Sequence, residues 1–116
     1  MNNIEKGKIG EEICARYLKN KGYKILQRNY RCQIGEVDII AFYKKAYIFV
    51  EVKTRTSKKF GLPFESVDKR KQRKVKNVAL FYLKNQNIKD FNCRFDVFSV
   101  IMENNDFTVD HIKNAF

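Results

Sequence analysis

The positions of apolar residues along the chain predict two helices. Apolar residues recur at helical spacing over residues 4–21, where the stripe consists of Ile9, Ile13, Tyr17 and Leu18. A second stripe, over residues 68–86, consists of Val75, Val78, Ala79, Tyr82 and Leu83. Gly22 is suited to end the first helix, and either Asp68 or Ser66 could cap the second.

Runs rich in β-branched and aromatic residues predict five strands, at residues 23–30, 36–42, 46–53, 94–102 and 107–112. Gly35 marks a break before the second strand, and residues 54–65 are predicted to form a loop. The short junction at Lys44 and Lys45 predicts a hairpin between the second and third strands. Asn104 and Asn105 are the predicted turn between the last two strands. The order α-β-β-β-α-β-β indicates an α/β fold, with a mixed sheet flanked by helices.

Length and composition favour a single folded domain over residues 1–116. The chain is 44% hydrophobic and 14% aromatic, which is typical of a globule with its own core. Three widely spaced cysteines contain no CxxC pair of the kind that binds zinc or does redox chemistry. The N-terminus has no apolar signal region, and no stretch approaches the ~18 apolar residues that span a bilayer. We therefore expect a cytoplasmic protein.

The charge of the chain indicates a polyanionic partner. The net charge is +11, and residues 53–76 alone carry ten basic and two acidic side chains. Nucleic acid is the first candidate and an anionic membrane surface the second, although a basic run on a helix is often only a solvated face. The side chains predicted to contact phosphates are Arg55, Lys58, Lys59, Lys69, Lys71, Arg73 and Lys74.

The predicted hairpin carries a candidate catalytic site. If its turn is centred between Lys44 and Lys45, Asp38 lies opposite Glu51, and Lys53 points to the same face. Opposed carboxylates repel, and Mg²⁺, which prefers oxygen ligands, is the natural compensation. Lys53 could orient a water nucleophile or stabilise charge on a phosphate, as in a metal-dependent phosphodiesterase. The alternative is a set of surface salt bridges, but the neighbouring residues are strongly apolar.

Two further polar residues are interpreted as structural. Asp96 lies in a predicted strand, where an ion pair with Arg94 is favoured over a role as an extra carboxylate of the site. His111 is the only histidine and is interpreted as a packing or hydrogen-bonding residue rather than a general base.

The chain resembles the YraN-like bacterial family, whose members are named as endonucleases related to Holliday junction resolvases of the PD-(D/E)XK nuclease superfamily. The matching segments are Gly10-Glu11, Gly22-Tyr23, Arg28-Asn29-Tyr30, Gly35-Glu36-Val37-Asp38, Phe49-Val50-Glu51-Val52-Lys53-Thr54-Arg55, Phe60-Gly61, Lys71-Gln72, Arg94-Phe95-Asp96 and His111 to Phe116. The match covers nearly the whole chain. One departure is Val37, which stands where the superfamily's name has proline.

The resemblance implies a restriction-endonuclease-like fold and a role for each site residue. Asp38 and Glu51 would bind Mg²⁺ or Mn²⁺, together with the backbone carbonyl of Val52, and Lys53 would be the catalytic lysine. Glu11 matches the acidic residue that archaeal resolvases place beside the metal. Its neighbour Glu12 is the weaker candidate, and Gln33 and Arg55 would contact the substrate.

Three functions are compatible with these sequence features. The first is a metal-dependent, structure-selective endonuclease acting on branched or otherwise structured DNA. The alternative is a non-catalytic nucleic-acid-binding module that keeps the nuclease-like fold. A third, an interaction protein without a nucleic-acid partner, leaves the net charge of +11 unexplained. By analogy with junction resolvases, many of which are dimers, a homodimer is also expected.

Overall fold

The computed structural model describes residues 2–56 and 67–116, which form two helices and five strands in the predicted order. The elements are α1 Asn3–Asn20, β1 Lys24–Arg31, β2 Glu36–Tyr43, β3 Ala46–Arg55, α2 Lys69–Asn85, β4 Asn92–Glu103 and β5 Asp106–Ile112. Asp68, one of the two predicted caps, accepts a hydrogen bond from the Lys71 backbone N–H at 2.9 Å. The other, Ser66, lies outside the described residues, as do Lys58, Lys59 and most of the predicted loop.

The five strands form one mixed sheet in the order β1-β2-β3-β4-β5. Only β3 and β4 pair in parallel, and α2 provides the crossover between them. As the middle strand, β3 is covered on both faces, and its residues Ile48, Phe49 and Val50 are fully buried. The predicted α/β architecture, a mixed sheet flanked by helices, is confirmed.

Each face of the sheet packs on one helix. On one face, Cys14 and Leu18 of α1 pack in a core with Ile39, Val50 and Phe98. On the other face the core contains residues of α2 together with apolar side chains of the sheet, namely Val75, Val78, Ala79, Tyr82, Leu83, Val37, Ile40 and Phe49. Residues that alternate along β3 therefore separate into the two cores, as the period of two of a strand requires.

The predicted hairpin register is confirmed. The β2–β3 ladder runs from Tyr43 paired with Ala46 to Ile39 paired with Val50, so the turn is centred between Lys44 and Lys45. Both lysines have positive φ, 46° and 65°, as a two-residue type I′ turn requires. The turn at 104–105 has the same form, with φ of 50° and 65°.

The buried face of α1 differs from the prediction. Its buried residues are Gly10, Cys14, Ala15 and Leu18, whereas Ile9 is 39% exposed. The reason is the close approach of the helix to β3 at Gly10, where an added Cβ would overlap the side chain of Thr54. A helix packs closest where its side chains are smallest, and this rotates the larger apolar residues to the edge of the contact.

Asp96 and His111 have the structural roles predicted for them. The buried Asp96 carboxylate accepts hydrogen bonds from the Arg94 guanidinium at 2.8–3.2 Å and from the Asn114 backbone N–H at 2.9 Å. His111 Nε2 lies 2.6 Å from the same carboxylate, and Arg94 also donates to the Tyr23 hydroxyl at 2.7 Å. Burial favours the neutral acid, but these hydrogen bonds outweigh it and hold the pKa of Asp96 below its ordinary value.

Replacing Gly10 with alanine should destabilise the protein by about 2 kcal/mol, because the new methyl group would force α1 away from Thr54. The matched control is Gly7→Ala in the same helix. Nothing lies within 4 Å of a Cβ added there, so only the gain in helix propensity, at most about 1 kcal/mol, remains. Urea denaturation followed by circular dichroism measures both. The close-approach argument is wrong if the two variants change stability equally, and Gly10→Ala/Thr54→Ala should recover part of the loss.

Candidate active site

Beyond Ile39 and Val50, the pairing of β2 with β3 ends, while β3 continues to Arg55 along β4. Past this point, the side chain of Asp38 replaces the backbone of β2 as the hydrogen-bond partner of β3. Asp38 Oδ2 accepts a hydrogen bond from the Val52 backbone N–H at 2.8 Å. This hydrogen bond holds Asp38 against β3 at Val52, the residue that follows Glu51.

Glu51 is the most buried carboxylate of this end of the sheet, with only 3% of the residue exposed. Its Oε2 lies 3.9 Å from Lys71 Nζ, a long ion pair. Its Oε1 is buried and has no hydrogen-bond partner within residues 2–56 and 67–116. An unsatisfied buried carboxylate oxygen is costly and calls for an explanation. A bound cation is one that the chemistry of the group supports.

The two carboxyl groups raise each other's cost of ionisation. Burial and the neighbouring Asp38 charge raise the pKa of Glu51 to about 8, although Lys71 and Lys53 act in the opposite direction. Burial also raises the pKa of Asp38, against the Val52 hydrogen bond and the same two lysines. At neutral pH the pair therefore favours holding a proton, and a divalent cation would remove that preference.

Lys53 follows Glu51 by two residues on β3 and is half-buried. Successive side chains of a strand alternate, so Lys53 and Glu51 share the face of the sheet that α2 covers. Phe49, two residues before Glu51, packs in the α2 core and identifies that face. The structure thus brings Asp38, Glu51 and Lys53 to one end of the hairpin.

Glu11 reaches this end of the sheet from α1. It precedes Cys14, Ala15 and Leu18 by three, four and seven positions, so it extends the stripe that faces the sheet. Burial and the charge of Asp38 raise the pKa of Glu11, whereas a hydrogen bond with Asn29 lowers it. Glu11 is therefore within electrostatic reach of the carboxylate pair.

Glu12 forms ion pairs with surface arginines and not with residues of the candidate site. Its carboxylate forms ion pairs with Arg28 at 2.8 Å and with Arg16 at 3.1 Å, all at the surface. Hydrogen bonds from Arg28 and Arg16 lower the pKa of Glu12. This agrees with its lower rank as a site candidate.

The basic residues of α2 fall into two groups. Lys69, Arg73 and Lys74 are exposed, whereas Lys71 is half-buried and faces Glu51. The basic run of the sequence predicts Lys71 only as a phosphate contact, whereas in the structure Lys71 lies beside a carboxylate. The signal was present, because Lys71 precedes Val75 by four residues and so extends the buried stripe of α2.

A cleft of about 320 Å³ opens between the β1–β2 connection and the start of α2. Lys71 and Lys74 line it from the helix, and Arg31, Gly35 and Glu36 line it from the strands. Arg31 and Glu36 form an ion pair at 3.1 Å across its rim. Lys71 lines this cleft and also faces Glu51, so an anion bound in the cleft would share this lysine with the carboxylate.

Geometry supports only part of the predicted ligand set. Within residues 2–56 and 67–116, no group of three or more His, Cys, Asp or Glu side chains has the arrangement that holds a metal ion. The ligands that the described chain itself brings together are therefore the Asp38 and Glu51 carboxylates. Arg55 ends β3 and is half-buried.

The chain belongs to the uncharacterised protein family UPF0102, whose model matches residues 10–100. A relative from Caldanaerobacter subterraneus is 49% identical over all of this chain and 98% of its own. A Clostridioides difficile protein is 47% identical over the full length of both chains, and one from Caldicellulosiruptor saccharolyticus is 48% identical over the same extent. All three are named as UPF0102 proteins. The family predicted from the motifs is confirmed.

No helix among the described residues is long and apolar enough to cross a membrane.

Replacing Glu51 with glutamine should stabilise the metal-free protein by about 2 kcal/mol at pH 8. The pKa of Glu51 is raised on folding, so the folded chain binds more protons than the unfolded one between the ordinary carboxyl pKa and the raised value. Wild-type stability should therefore fall as the pH rises through this range, and more steeply than that of Glu51→Gln, in which only the raised pKa values of Asp38 and Glu11 act in this direction. The measurement is urea denaturation in EDTA from pH 5 to pH 8.5, with Glu12→Gln at the exposed neighbour site as control. A wild-type curve parallel to that of Glu51→Gln would contradict this account.

Proposed function

We propose that this protein is a metal-dependent endonuclease that hydrolyses phosphodiester bonds in branched or otherwise structured DNA. The observation that carries the proposal is the Glu51 carboxylate, which is buried beside Asp38 with one oxygen unpartnered in the described chain. An unpaired acid here costs folding free energy, and such a cost is typical of functional sites. The family resemblance supports the same reading of the same residues.

The donor set fits a hard divalent cation. Asp38 and Glu51 would hold Mg²⁺ or Mn²⁺, both of which favour carboxylate oxygen, and the resemblance adds the Val52 carbonyl and Glu11. When bound, the ion supplies Lewis-acid stabilisation of charge on a phosphate and favours formation of hydroxide from water. No third ligand needs to come from the protein, because Mg²⁺ commonly keeps several waters and binds substrate phosphate.

The chain's own residues would orient the substrate and stabilise charge. Lys53, on the same face as Glu51, would place its ammonium group against a phosphate oxygen and stabilise the charge that develops there. The Val52 N–H fixes the Asp38 carboxylate at 2.8 Å, so its direction is set before substrate binds. Packing of β3 in two cores holds the strand that carries Glu51 and Lys53 rigid.

The start of α2 suits binding of the DNA backbone. Its first turn contains no acidic residue, and Lys69 lies there next to Arg70. Positive side chains at a helix N-terminus oppose the helix dipole, so their presence there costs stability. A phosphate would be attracted both by these side chains and by the dipole. The basic residues at the start of α2 are therefore better explained by binding of an anionic partner than by a contribution to helix stability.

A second candidate is a non-catalytic nucleic-acid-binding module. The observation in its favour is that the described residues contain no group of three or more acidic, histidine or cysteine side chains arranged to hold a metal. Such a module would use the basic surface of α2 without hydrolysis.

The two functions are separated by incubating the protein with Mg²⁺ or Mn²⁺ and branched, flapped, single-stranded and duplex DNA. The nuclease should cleave branched or flapped DNA, and Asp38→Asn, Glu51→Gln and Lys53→Met should reduce cleavage at least 100-fold while preserving binding. Glu12→Gln, which removes a carboxylate that faces Arg28 and Arg16, should cleave like wild type. Salt-dependent binding without cleavage of any substrate would favour the module instead.

The variant Lys69→Ala/Arg73→Ala/Lys74→Ala should weaken DNA binding and reduce the slope of log K against log salt by up to about three units. The reason is that each phosphate contact releases roughly one counterion. The matched control is Lys24→Ala/Lys44→Ala/Lys45→Ala, which removes the same charge from β1 and from the β2–β3 turn. Binding would be measured by fluorescence anisotropy from 50 to 300 mM salt. Equal effects of the two triple variants would mean that only the net charge matters.

A further inference from the structure

Lys71 stands in an unusual position for a residue of a basic helix. Its Nζ is 3.9 Å from Glu51 Oε2, and its side chain is 38% exposed, whereas that of Glu51 is 4% exposed. Lys71 therefore covers the outer side of a buried carboxylate, while the other oxygen of that carboxylate is unpartnered within the described residues. The ammonium supplies part of the positive charge that this carboxylate requires.

The contact between Lys71 and Glu51 is long enough for another cation to replace the ammonium. An ion pair of 3.9 Å is longer than a charge-assisted hydrogen bond of about 2.7–2.9 Å, so the ammonium is not held by a directional bond. The lysine side chain has four rotatable carbon–carbon bonds, and it opens onto the cleft that Lys74 also lines. Rotation of the side chain would carry the ammonium from Glu51 into this cleft without moving α2.

A divalent cation and the ammonium compete for the same carboxylate. Each would offset the negative charge of the Asp38–Glu51 pair, and the two positive charges repel when they lie within a few ångströms of each other. An ion seated between Asp38 and Glu51 would therefore weaken the contact of Lys71 with Glu51. The displaced ammonium would then lie in a cleft that Lys74 and Arg31 also line, and these cations favour an anion.

We propose that Lys71 is the counterion of the Asp38–Glu51 carboxyl pair in the metal-free protein, and that a divalent cation displaces it into the adjacent cleft, where it binds a substrate phosphate. This proposal rests on the cation site described under the proposed function and adds its regulation. Lys71 thus couples metal binding to DNA binding. It disfavours the metal in the absence of DNA and favours it in its presence, since coupling between two ligands is reciprocal.

The first test is the affinity for Mn²⁺ without DNA, measured by the electron paramagnetic resonance signal of free Mn²⁺. Lys71→Met should bind Mn²⁺ about tenfold more tightly than wild type, because the competing charge is removed. Lys71→Arg, which keeps the charge, should bind like wild type. Lys74→Met is the matched control, since it removes the same charge from the same cleft without touching Glu51, and it should change the affinity less than threefold.

The second test is DNA affinity in Ca²⁺, used as a non-cleaving substitute, and in EDTA. Lys71→Met should lose about tenfold in affinity in Ca²⁺ but little in EDTA, where the ammonium already faces Glu51. Lys74→Met should lose equally in both. Losses for Lys71→Met that are the same with and without Ca²⁺ would overturn the displacement. Thermal denaturation confirms that each variant is folded.

The outcomes separate this proposal from the proposed function. If wild type binds Mn²⁺ but Lys71→Met and Lys74→Met change its affinity equally, Lys71 is not the counterion, and the nuclease proposal stands. Weaker Mn²⁺ binding by Lys71→Met also overturns the counterion role. If neither wild type nor Lys71→Met binds Mn²⁺ at millimolar concentration, the cation site itself fails, and both proposals fall together.

Discussion

The burial of an acidic side chain on the middle strand is the constraint on which the rest of this structure depends. β3 is covered by a helix on each face, and Glu51 lies on it with one carboxylate oxygen unsatisfied within the described residues. Nothing in the core requires an acid at this position, and an apolar residue of similar size would cost less to bury. The strand therefore combines two demands, a rigid core and a carboxylate held away from water.

The fold meets these demands by bringing three separate segments to one end of the sheet. β2 contributes Asp38, whose hydrogen bond to the Val52 N–H replaces the backbone pairing that ends at Ile39. α1 contributes Glu11 at the end of its sheet-facing stripe, and α2 contributes Lys71 in the same way from the opposite face. The Asp96 cluster, with Arg94 and His111, fastens another part of β4 and β5 with a fully paired acid. The contrast between a satisfied and an unsatisfied carboxylate distinguishes the structural cluster from the candidate site.

Much of this arrangement could be predicted from the sequence because it depends on local patterns. The Lys44-Lys45 turn sets the hairpin register, and the register places Asp38 near Glu51. The rotation of α1 could not be predicted from its apolar stripe, because it is set by the fit of Gly10 against Thr54. The spacing of Lys71 from Val75 places Lys71 on the buried face of α2, but its contact with Glu51 depends on how α2 crosses the sheet. Sequence patterns define faces, whereas tertiary contacts decide which residue lies at the centre of a face.

The division of the site between the two halves of the chain has a consequence for the order of folding. The hairpin of β2 and β3 needs only contacts between near neighbours in sequence, whereas the parallel pairing of β3 with β4 closes a long loop that contains α2. The hairpin can therefore form while Glu51 is still hydrated and Lys71 is remote. Docking of α2 must then remove water from Glu51 and deliver its counterion in a single step. The protonation state of one carboxyl group is thus expected to govern how fast the second half of the molecule assembles on the first.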